Sequence, residues 1–136
     1  MAHKLKKTVK QLCEEAEQEI QTLNARDAIA LKDDPNVVLV DLRDIRELQR
    51  DGKIPGAFHA PRGMLEFWVD PESPYYKDVF GSGKRFVFFC AGGLRSALAT
   101  QTVQQMGLEP VCHIRGGFRA WKEAGGPVDM PDKQPA

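Results

Sequence analysis

The fold is decided by the stretch Arg85-Phe86-Val87-Phe88-Phe89, which is followed directly by Cys90-Ala91-Gly92-Gly93-Leu94-Arg95-Ser96-Ala97. A continuous apolar run such as Phe86–Phe89 is typical of a strand that is buried on both faces of a parallel sheet. The glycine pair ends the strand, and the residues after it favour a helix. We therefore expect Cys90 at the carboxyl end of a strand, where ligands bind in open α/β sheets.

Further strands and helices alternate on both sides of this stretch. Apolar runs predict strands at Val37–Val40 and Val111–Ile114, and shorter strands are expected at Ile20–Leu23 and around Phe58. Four helices are predicted between and after these strands. The first covers Ala25 to Leu31 after an Asn24 cap, and the second covers part of Asp41–Asp51. The third has Leu94, Leu98, Thr102 and Met106 on one face, and the last runs from Gly116-Gly117 through Trp121. This alternation predicts an α/β fold with a parallel sheet.

The N-terminal segment predicts an amphipathic helix. Between Leu5 and Ile20 the spacing places Leu5, Val9, Leu12, Ala16 and Ile20 on one helical face. Lysines come first and glutamates last, which opposes the helix dipole. Such a helix needs its apolar face docked, and docking on its own domain is favoured over binding a partner. We expect a helix within residues 1–19, one domain over 20–128 and a tail over 129–136.

Composition excludes several classes of protein. The chain has 136 residues, 19 basic and 19 acidic, so its formal net charge is zero. This balance argues against binding nucleic acid or an anionic membrane through phosphate neutralisation. The sequence contains no run of 18 apolar residues, so no membrane span is predicted. Three widely spaced cysteines without a secretory signal pattern predict a reducing, cytoplasmic location.

The loop that begins at Cys90 has the features of an anion-binding site. Small residues let successive backbone N–H groups point inward, and a helix N-terminus adds partial positive charge. A thiol there is expected to exist partly as the thiolate at neutral pH. Arg95 adds a guanidinium suited to an oxyanion, and Ser96 adds a hydroxyl donor. This favours attack by a thiolate on an anionic substrate. The alternative is that Cys90 is a buried core cysteine beside an ordinary turn.

The chain resembles a single-domain rhodanese, a member of the sulfurtransferase family. The blocks that carry the resemblance are Val40–Arg43, Gly52–Ala57, Cys90–Ser96 and Gly116–Gly125, and together they span most of residues 20–128. The resemblance implies a three-layer α/β/α fold around a five-stranded, mostly parallel sheet.

The resemblance also implies a two-step reaction without a cofactor. Cys90 takes a sulfur atom from a donor such as thiosulfate and passes it, as a persulfide, to cyanide or a thiol. The N–H groups of Ala91, Gly92, Gly93, Leu94, Arg95 and Ser96 are expected to cradle the persulfide, with Arg95 steering the donor. The expected partners are a small-molecule sulfur donor and a thiol acceptor, which could belong to an acceptor protein.

Two alternatives from other classes stay open. Cys-based phosphatases and arsenate reductases have a similar loop, but four residues separate Cys90 from Arg95 where the phosphatases have five. The shorter loop makes a smaller cradle, which suits a sulfur atom better than a phosphate. A non-catalytic rhodanese-like binding module is the other alternative, and the presence of both Cys90 and Arg95 favours the enzyme over it.

Four residues outside the loop are candidates for supporting roles. Asp41 and Arg43 follow the strand Val37–Val40 and could contact the loop, although an ion pair that braces the sheet edge is at least as plausible. Arg62 and Trp68 lie in the long connection over residues 61–83, where Arg62 could contact an anion. Trp68 could wall the substrate pocket together with Phe67, Tyr75 and Tyr76, or pack beneath the connection.

The remaining cysteines are expected to be structural, and the histidines are not expected to form a metal site. Cys112 is expected in the core, and Cys13 is expected to dock against the body unless it is exposed enough to relay sulfur. His3, His59 and His113 lack the spacing of a metal site, so no metal is predicted.

Overall fold

Five parallel strands form the centre of the molecule in a computed structural model that describes residues 3–131. They are β1 (Gln21–Leu23), β2 (Val37–Asp41), β3 (Phe58–His59), β4 (Arg85–Phe89) and β5 (Val111–Ile114). Their order across the sheet is β1-β5-β4-β2-β3, and every neighbouring pair is parallel. The carboxyl ends of all five strands therefore meet at one edge. The predicted five-stranded α/β fold is confirmed.

Within residues 3–131, six α-helices lie before, between and after these strands. They are α1 (Val9–Glu19), α2 (Ala25–Ala30), α3 (Ile45–Asp51), α4 (Leu65–Val69), α5 (Leu94–Met106) and α6 (Gly117–Glu123). Asn24 caps α2 as predicted, since its side chain accepts a hydrogen bond from the N–H of Asp27 at 2.9 Å. Asp44 and Glu47 form a capping box that fixes the start of α3. Local sequence thus sets where these two helices begin.

Two apolar clusters lie on opposite faces of the sheet. On one face, alternate residues of β2 and β4 pack against α4 and α5; this cluster includes Val40, Phe86, Phe88, Leu65, Ala99 and Val103. On the other face, the intervening strand residues pack against α2 and α6; this cluster includes Leu39, Val87, Phe89, Ala28, Phe118 and Trp121. Because successive strand residues point to opposite faces, β2, β4 and β5 each supply both clusters. The result is the predicted three-layer arrangement.

The N-terminal helix docks on its own domain as expected, but only part of the predicted face is buried. It begins at Val9 after a Thr8 capping box, so residues 3–8 are not helical. Leu5, Val9 and Leu12 are exposed, and the buried residues are Cys13 and Ala16. These small side chains face α5, which lets the two helices approach closely. The prediction was right for Ala16 and wrong for Leu5, Val9 and Leu12, because a close approach of two helices leaves room only for small side chains.

The predicted face of α5 was also wrong. Leu94 and Met106 are exposed, whereas the buried residues are Ser96, Ala97, Ala99, Thr100 and Val103. α5 contacts β4, β5, α1 and α4, so it is covered on several sides. Small side chains fill those covered faces. The buried faces of α5 therefore cannot be identified from large apolar residues at helical spacing.

The connection over residues 61–83 is folded rather than irregular. It contains α4 and two short 3-10 helices, Arg62–Met64 and Asp78–Gly81. Leu65 and Phe80 are buried in the core, which anchors this segment on the sheet.

The segment predicted as a tail begins with a tertiary contact. Asp129 and Lys53 exchange backbone hydrogen bonds of 2.8 and 2.9 Å, while residues 132–136 lie outside the described part of the chain.

Within residues 3–131, none of the helices has the length and apolar character needed to cross a membrane.

Candidate active site

The Cys90 thiol lies in a cup of backbone N–H groups between β4 and α5. Its Sγ accepts hydrogen bonds from the N–H of Gly93 at 3.2 Å and the N–H of Ser96 at 3.4 Å. Cys90 is 1% exposed, so the sulfur is almost enclosed by its own loop. The 13-residue helix α5 begins at Leu94, and its N-terminus adds partial positive charge at the sulfur. The N–H groups and the helix end thus place partial positive charge around the sulfur.

Two glycines give the loop its shape. Gly93 has a φ of +100°, a conformation that side chains disfavour, and it turns the chain so that its own N–H points to the sulfur. Gly117, with a φ of +58°, lies against the loop from α6. The N–H groups of Phe118 and Arg119 donate to the carbonyl oxygens of Cys90 and Ala91 at 2.8 and 3.1 Å. These bonds hold the carbonyls outward, which leaves the N–H groups for the cup.

Replacement of Gly117 by alanine is expected to lower the stability of the protein and to distort the cup of N–H groups around Cys90. A Cβ at this position would overlap the carbonyl oxygen of Cys90, and the backbone would keep a left-handed φ. We expect a loss of about 3 kcal/mol in the free energy of unfolding, from backbone strain and overpacking together, measured by urea denaturation.

The matched control for that substitution is Gly56→Ala. Gly56 has a similar positive φ of +79°, but a Cβ at this position would have no heavy atom within 4 Å, so the variant isolates the strain. Its expected loss is about 1 kcal/mol. Equal losses in the two variants would contradict a steric role for Gly117.

Arg95 is held by a carboxylate rather than left free. Its Nη1 and Nη2 atoms each donate to one oxygen of Glu47 at 2.9 Å, in a bidentate pair. These hydrogen bonds lower the pKa of Glu47. Glu47, and to a smaller extent Cys90, raises the pKa of Arg95. The guanidinium therefore stays charged beside the loop, and its side chain is 42% exposed.

A chain of polar side chains runs from Cys90 to the opposite side of the loop. Cys90 Sγ lies 3.6 Å from Ser96 Oγ, and Ser96 Oγ lies 2.9 Å from His113 Nδ1. His113 Nε2 lies 2.8 Å from Glu17 Oε1, at ion-pair distance but without the alignment of a hydrogen bond. We call these four residues the polar chain. Ser96 and His113 are fully buried, so their polar atoms have no access to bulk solvent.

Sequence reasoning missed Glu17, Glu47 and His113. The available signal for His113 was a polar residue inside the apolar run Val111–Ile114, where every residue is buried. Glu17 and Glu47 carried no comparable signal, because each meets its partner only after distant segments pack together.

Asp41 and Arg43 form a buried ion pair beneath the site. Arg43 Nη2 donates to Asp41 Oδ2 at 2.8 Å and to the carbonyl oxygen of Gly52 at 2.9 Å. Both side chains are 1% exposed. The Arg43 guanidinium also lies 4.0 Å from the centre of the Phe118 ring. The pair joins the end of β2 to α3 and α6.

The other two candidate supporting residues have local partners. Arg62 pairs with Glu66 at 2.7 Å, one helical turn away. Trp68 packs edge-on against Phe58, with their ring centres 6.1 Å apart, and contributes to the core. Phe67 and Tyr75 are exposed and contact each other.

The two remaining cysteines are buried. Cys112 is fully buried in the sheet, and burial raises the pKa of its thiol. Cys13 is 5% exposed, and its Sγ lies 3.7 Å from the carbonyl oxygen of Leu94. Burial raises the pKa of Cys13 as well. The exposure that would suit Cys13 for relaying sulfur is therefore not present.

A cavity of about 330 Å³ opens beside the loop. Ala91 forms part of one wall, and Phe118, Arg119 and Lys122 of α6 form another. Arg119 and Lys122 are exposed cations, although the carboxylates of Asp51 and Glu123 also line the cavity.

Comparison with known proteins finds a matching family and matching structures. Residues 24–124 match the rhodanese-like domain family. A sulfurtransferase from Allochromatium vinosum is 33% identical over 102 residues, which cover 75% of this chain and 87% of that protein. Other curated relatives are longer. The chain spans 64% of a mouse thiosulfate sulfurtransferase/rhodanese-like domain-containing protein 3 and 31% of a tRNA uridine(34) hydroxylase from Deinococcus radiodurans.

Two solved structures extend the comparison. A protein of unknown function from Rhodopseudomonas palustris, described as a possible tyrosine phosphatase, is 56% identical with a TM-score of 0.92. The match covers 95% of this chain and 99% of that one. A thiosulfate sulfurtransferase from Pseudomonas aeruginosa is 29% identical with a TM-score of 0.70, over 93% of this chain and 23% of that one.

Proposed function

We propose that this chain, which belongs to the rhodanese-like domain family, transfers a sulfane sulfur from thiosulfate or a similar donor to a thiophilic acceptor. The observation that carries the proposal is the position of Cys90 Sγ, which accepts two backbone N–H bonds at the start of α5. Those donors would stabilise negative charge on the thiolate before attack and on the persulfide after it.

The first step forms a bond between Cys90 Sγ and the outer sulfur of thiosulfate. The sulfur–sulfur bond of the donor breaks, and its electron pair leaves with sulfite. In the second step cyanide or a thiolate attacks the outer sulfur of the persulfide, and the Cys90 thiolate is the leaving group. No external oxidant or reductant is required, because each step forms one bond to the transferred sulfur atom and breaks another, and the leaving group takes the electron pair.

The size of the cup supports sulfur as the transferred group. Two N–H groups within 3.4 Å already converge on one sulfur atom, and Cys90 is 1% exposed. This enclosure favours a small donor, and a cavity opens beside the loop at Ala91. The acceptor is a small thiol or an acceptor protein whose thiol reaches the same opening.

The direct test is the intact mass of the purified protein after brief exposure to thiosulfate. We expect a gain of one sulfur atom, which cyanide then discharges as thiocyanate. A protein with a free, reduced Cys90 thiol that gains no sulfur from thiosulfate would contradict thiosulfate as the donor.

A phosphatase is the second candidate function. It is favoured by the 56% identical structure from Rhodopseudomonas palustris that is described as a possible tyrosine phosphatase. Release of phosphate from an aryl phosphate, lost in Cys90→Ser, would support this alternative. The enclosed thiol and the four-residue spacing from Cys90 to Arg95 favour sulfur transfer over it.

Arg95→Ala is expected to weaken the use of anionic donors. Loss of a charge-assisted contact should raise the KM for thiosulfate by about tenfold or more, with a smaller effect on thermal stability. Steady-state kinetics with thiosulfate measure the effect, and Arg95→Lys should recover part of it. The control is Arg46→Ala, which removes an exposed arginine paired with Asp44. A large fall in stability with an unchanged KM would instead make Arg95 structural.

A further inference from the structure

The polar chain ends on a histidine and a carboxylate that the sulfur-transfer steps do not use. His113 is fully buried at the end of β5, between the loop and α1. Burial lowers the pKa of its imidazole, and Glu17 opposes that effect. A buried polar group in an apolar strand costs stability unless it is paired. Nδ1 of His113 is paired with Ser96, but Nε2 has no aligned hydrogen-bond partner, so packing alone does not account for its burial.

The neighbours of His113 set the direction of the hydrogen bonds. A carboxylate only accepts hydrogen bonds, so Glu17 beside Nε2 favours the tautomer with its proton on that nitrogen. Glu17 is itself oriented, because Thr22 Oγ1 donates to its other oxygen at 2.7 Å. Nδ1 is then an acceptor, and the Ser96 hydroxyl donates to it at 2.9 Å. The lone pairs of Ser96 Oγ are left facing Cys90 Sγ at 3.6 Å.

We propose that Cys90 loses its thiol proton by way of Ser96 to His113, which lies beside Glu17. His113 does not touch the substrate, so it is a positioning residue that acts through Ser96. The thiol proton moves from Sγ to Ser96 Oγ while the Ser96 proton moves to His113 Nδ1. The products are a thiolate and an imidazolium, and serine is unchanged. The imidazolium lies against the Glu17 carboxylate, and the thiolate keeps its two backbone N–H donors. The same two proton shifts run backward when Cys90 returns to the thiol.

This assignment rests on the proposed function for its purpose, since it prepares the nucleophile, but its geometry does not depend on the donor. Three separate segments contribute to it: Glu17 from α1, Ser96 from α5 and His113 from β5. It also gives α1 a role beyond packing. The titratable and charged groups that face His113 are Glu17, the more distant Arg115 and, through Ser96, Cys90.

The test measures how the reactivity of Cys90 depends on pH without any sulfur donor. The rate of Cys90 alkylation by iodoacetamide is followed from pH 5 to pH 10 by peptide mass spectrometry, which separates it from Cys13 and Cys112. In His113→Gln we expect the midpoint of this profile to rise by about one pH unit, which corresponds to about tenfold slower alkylation near pH 7. The rates should converge at the alkaline end.

Two further variants keep the result interpretable. Glu17→Gln, at a partly exposed position, should shift the midpoint in the same direction by a smaller amount, and it serves if His113→Gln fails to fold. His59→Gln removes a half-buried histidine whose Nε2 lies 2.7 Å from the Arg43 carbonyl oxygen, outside the polar chain. Its profile should match that of the unaltered protein.

The outcomes separate this proposal from the proposed function. Folded His113→Gln and Glu17→Gln variants with unshifted profiles would overturn the proton pathway, even if the unaltered protein accepts sulfur from thiosulfate. Shifted profiles would support it even in a protein that accepts no sulfur from that donor. A slower rate at every pH, without a shift in the midpoint, would show a purely structural role and would also overturn it.

Discussion

Cys90→Ser is expected to abolish sulfur uptake from thiosulfate completely. A serine oxygen at this position cannot form a persulfide, and no other described thiol is placed to replace Cys90. Cys13 and Cys112 are buried, and burial raises the pKa of both thiols, which disfavours their thiolates. The measurement is the intact mass after exposure to thiosulfate, together with the rate of thiocyanate release. Both signals should fall to background.

The fold should survive this substitution. Serine is close to cysteine in size, and its oxygen can accept from the N–H groups of Gly93 and Ser96 that now meet the sulfur. We expect a change in the free energy of unfolding of no more than about 1 kcal/mol. Cys13→Ala is the matched control and should still gain one sulfur atom. A gain of sulfur by Cys90→Ser, mapped to Cys13 or Cys112, would place the nucleophile elsewhere.

Arg43→Leu is expected to be the most destabilising of the substitutions considered. The change leaves the Asp41 carboxylate buried without its cation and removes the hydrogen bond to the Gly52 carbonyl. Breaking one partner of a buried pair typically costs about 3–5 kcal/mol. Urea denaturation measures the loss. Because Arg43 also lies against Phe118 of α6, which holds the Cys90 loop, sulfur transfer should fall as well.

Two further variants test whether the lost stability comes from the unpaired Asp41 carboxylate. Adding Asp41→Asn to Arg43→Leu removes the unpaired charge, so the double variant should be more stable than Arg43→Leu alone. Arg46→Leu breaks an exposed pair with Asp44, in which the arginine side chain is 84% exposed, and should cost no more than about 1 kcal/mol. A double variant less stable than Arg43→Leu would show that packing, rather than charge, dominates at this position.

Local patterns in the chain were sufficient to predict the sheet and the loop. Apolar runs identified β2, β4 and β5, and Asn24 marked the start of α2. These signals work because burial on both faces of a strand and the capping of helix ends each depend on a few consecutive residues. The buried faces of α1 and α5 were not predictable in the same way. Each depends on which helix or strand lies against it. Where that neighbour lies close, the buried positions carry small side chains such as Cys13, Ala16 and Ala97.

The sequence by itself determined that Cys90 follows a buried strand, that a glycine-rich turn leads from it into a helix, and that Arg95 lies five positions further on. Only the tertiary structure decided how the side chains around that loop are paired. Arg95 meets Glu47 across 48 positions, and Glu17 of α1 meets His113 of β5. Such contacts form when separate segments pack on the sheet, and no local spacing encodes them. The loop is therefore a property of consecutive residues, whereas its electrostatic environment is a property of the fold.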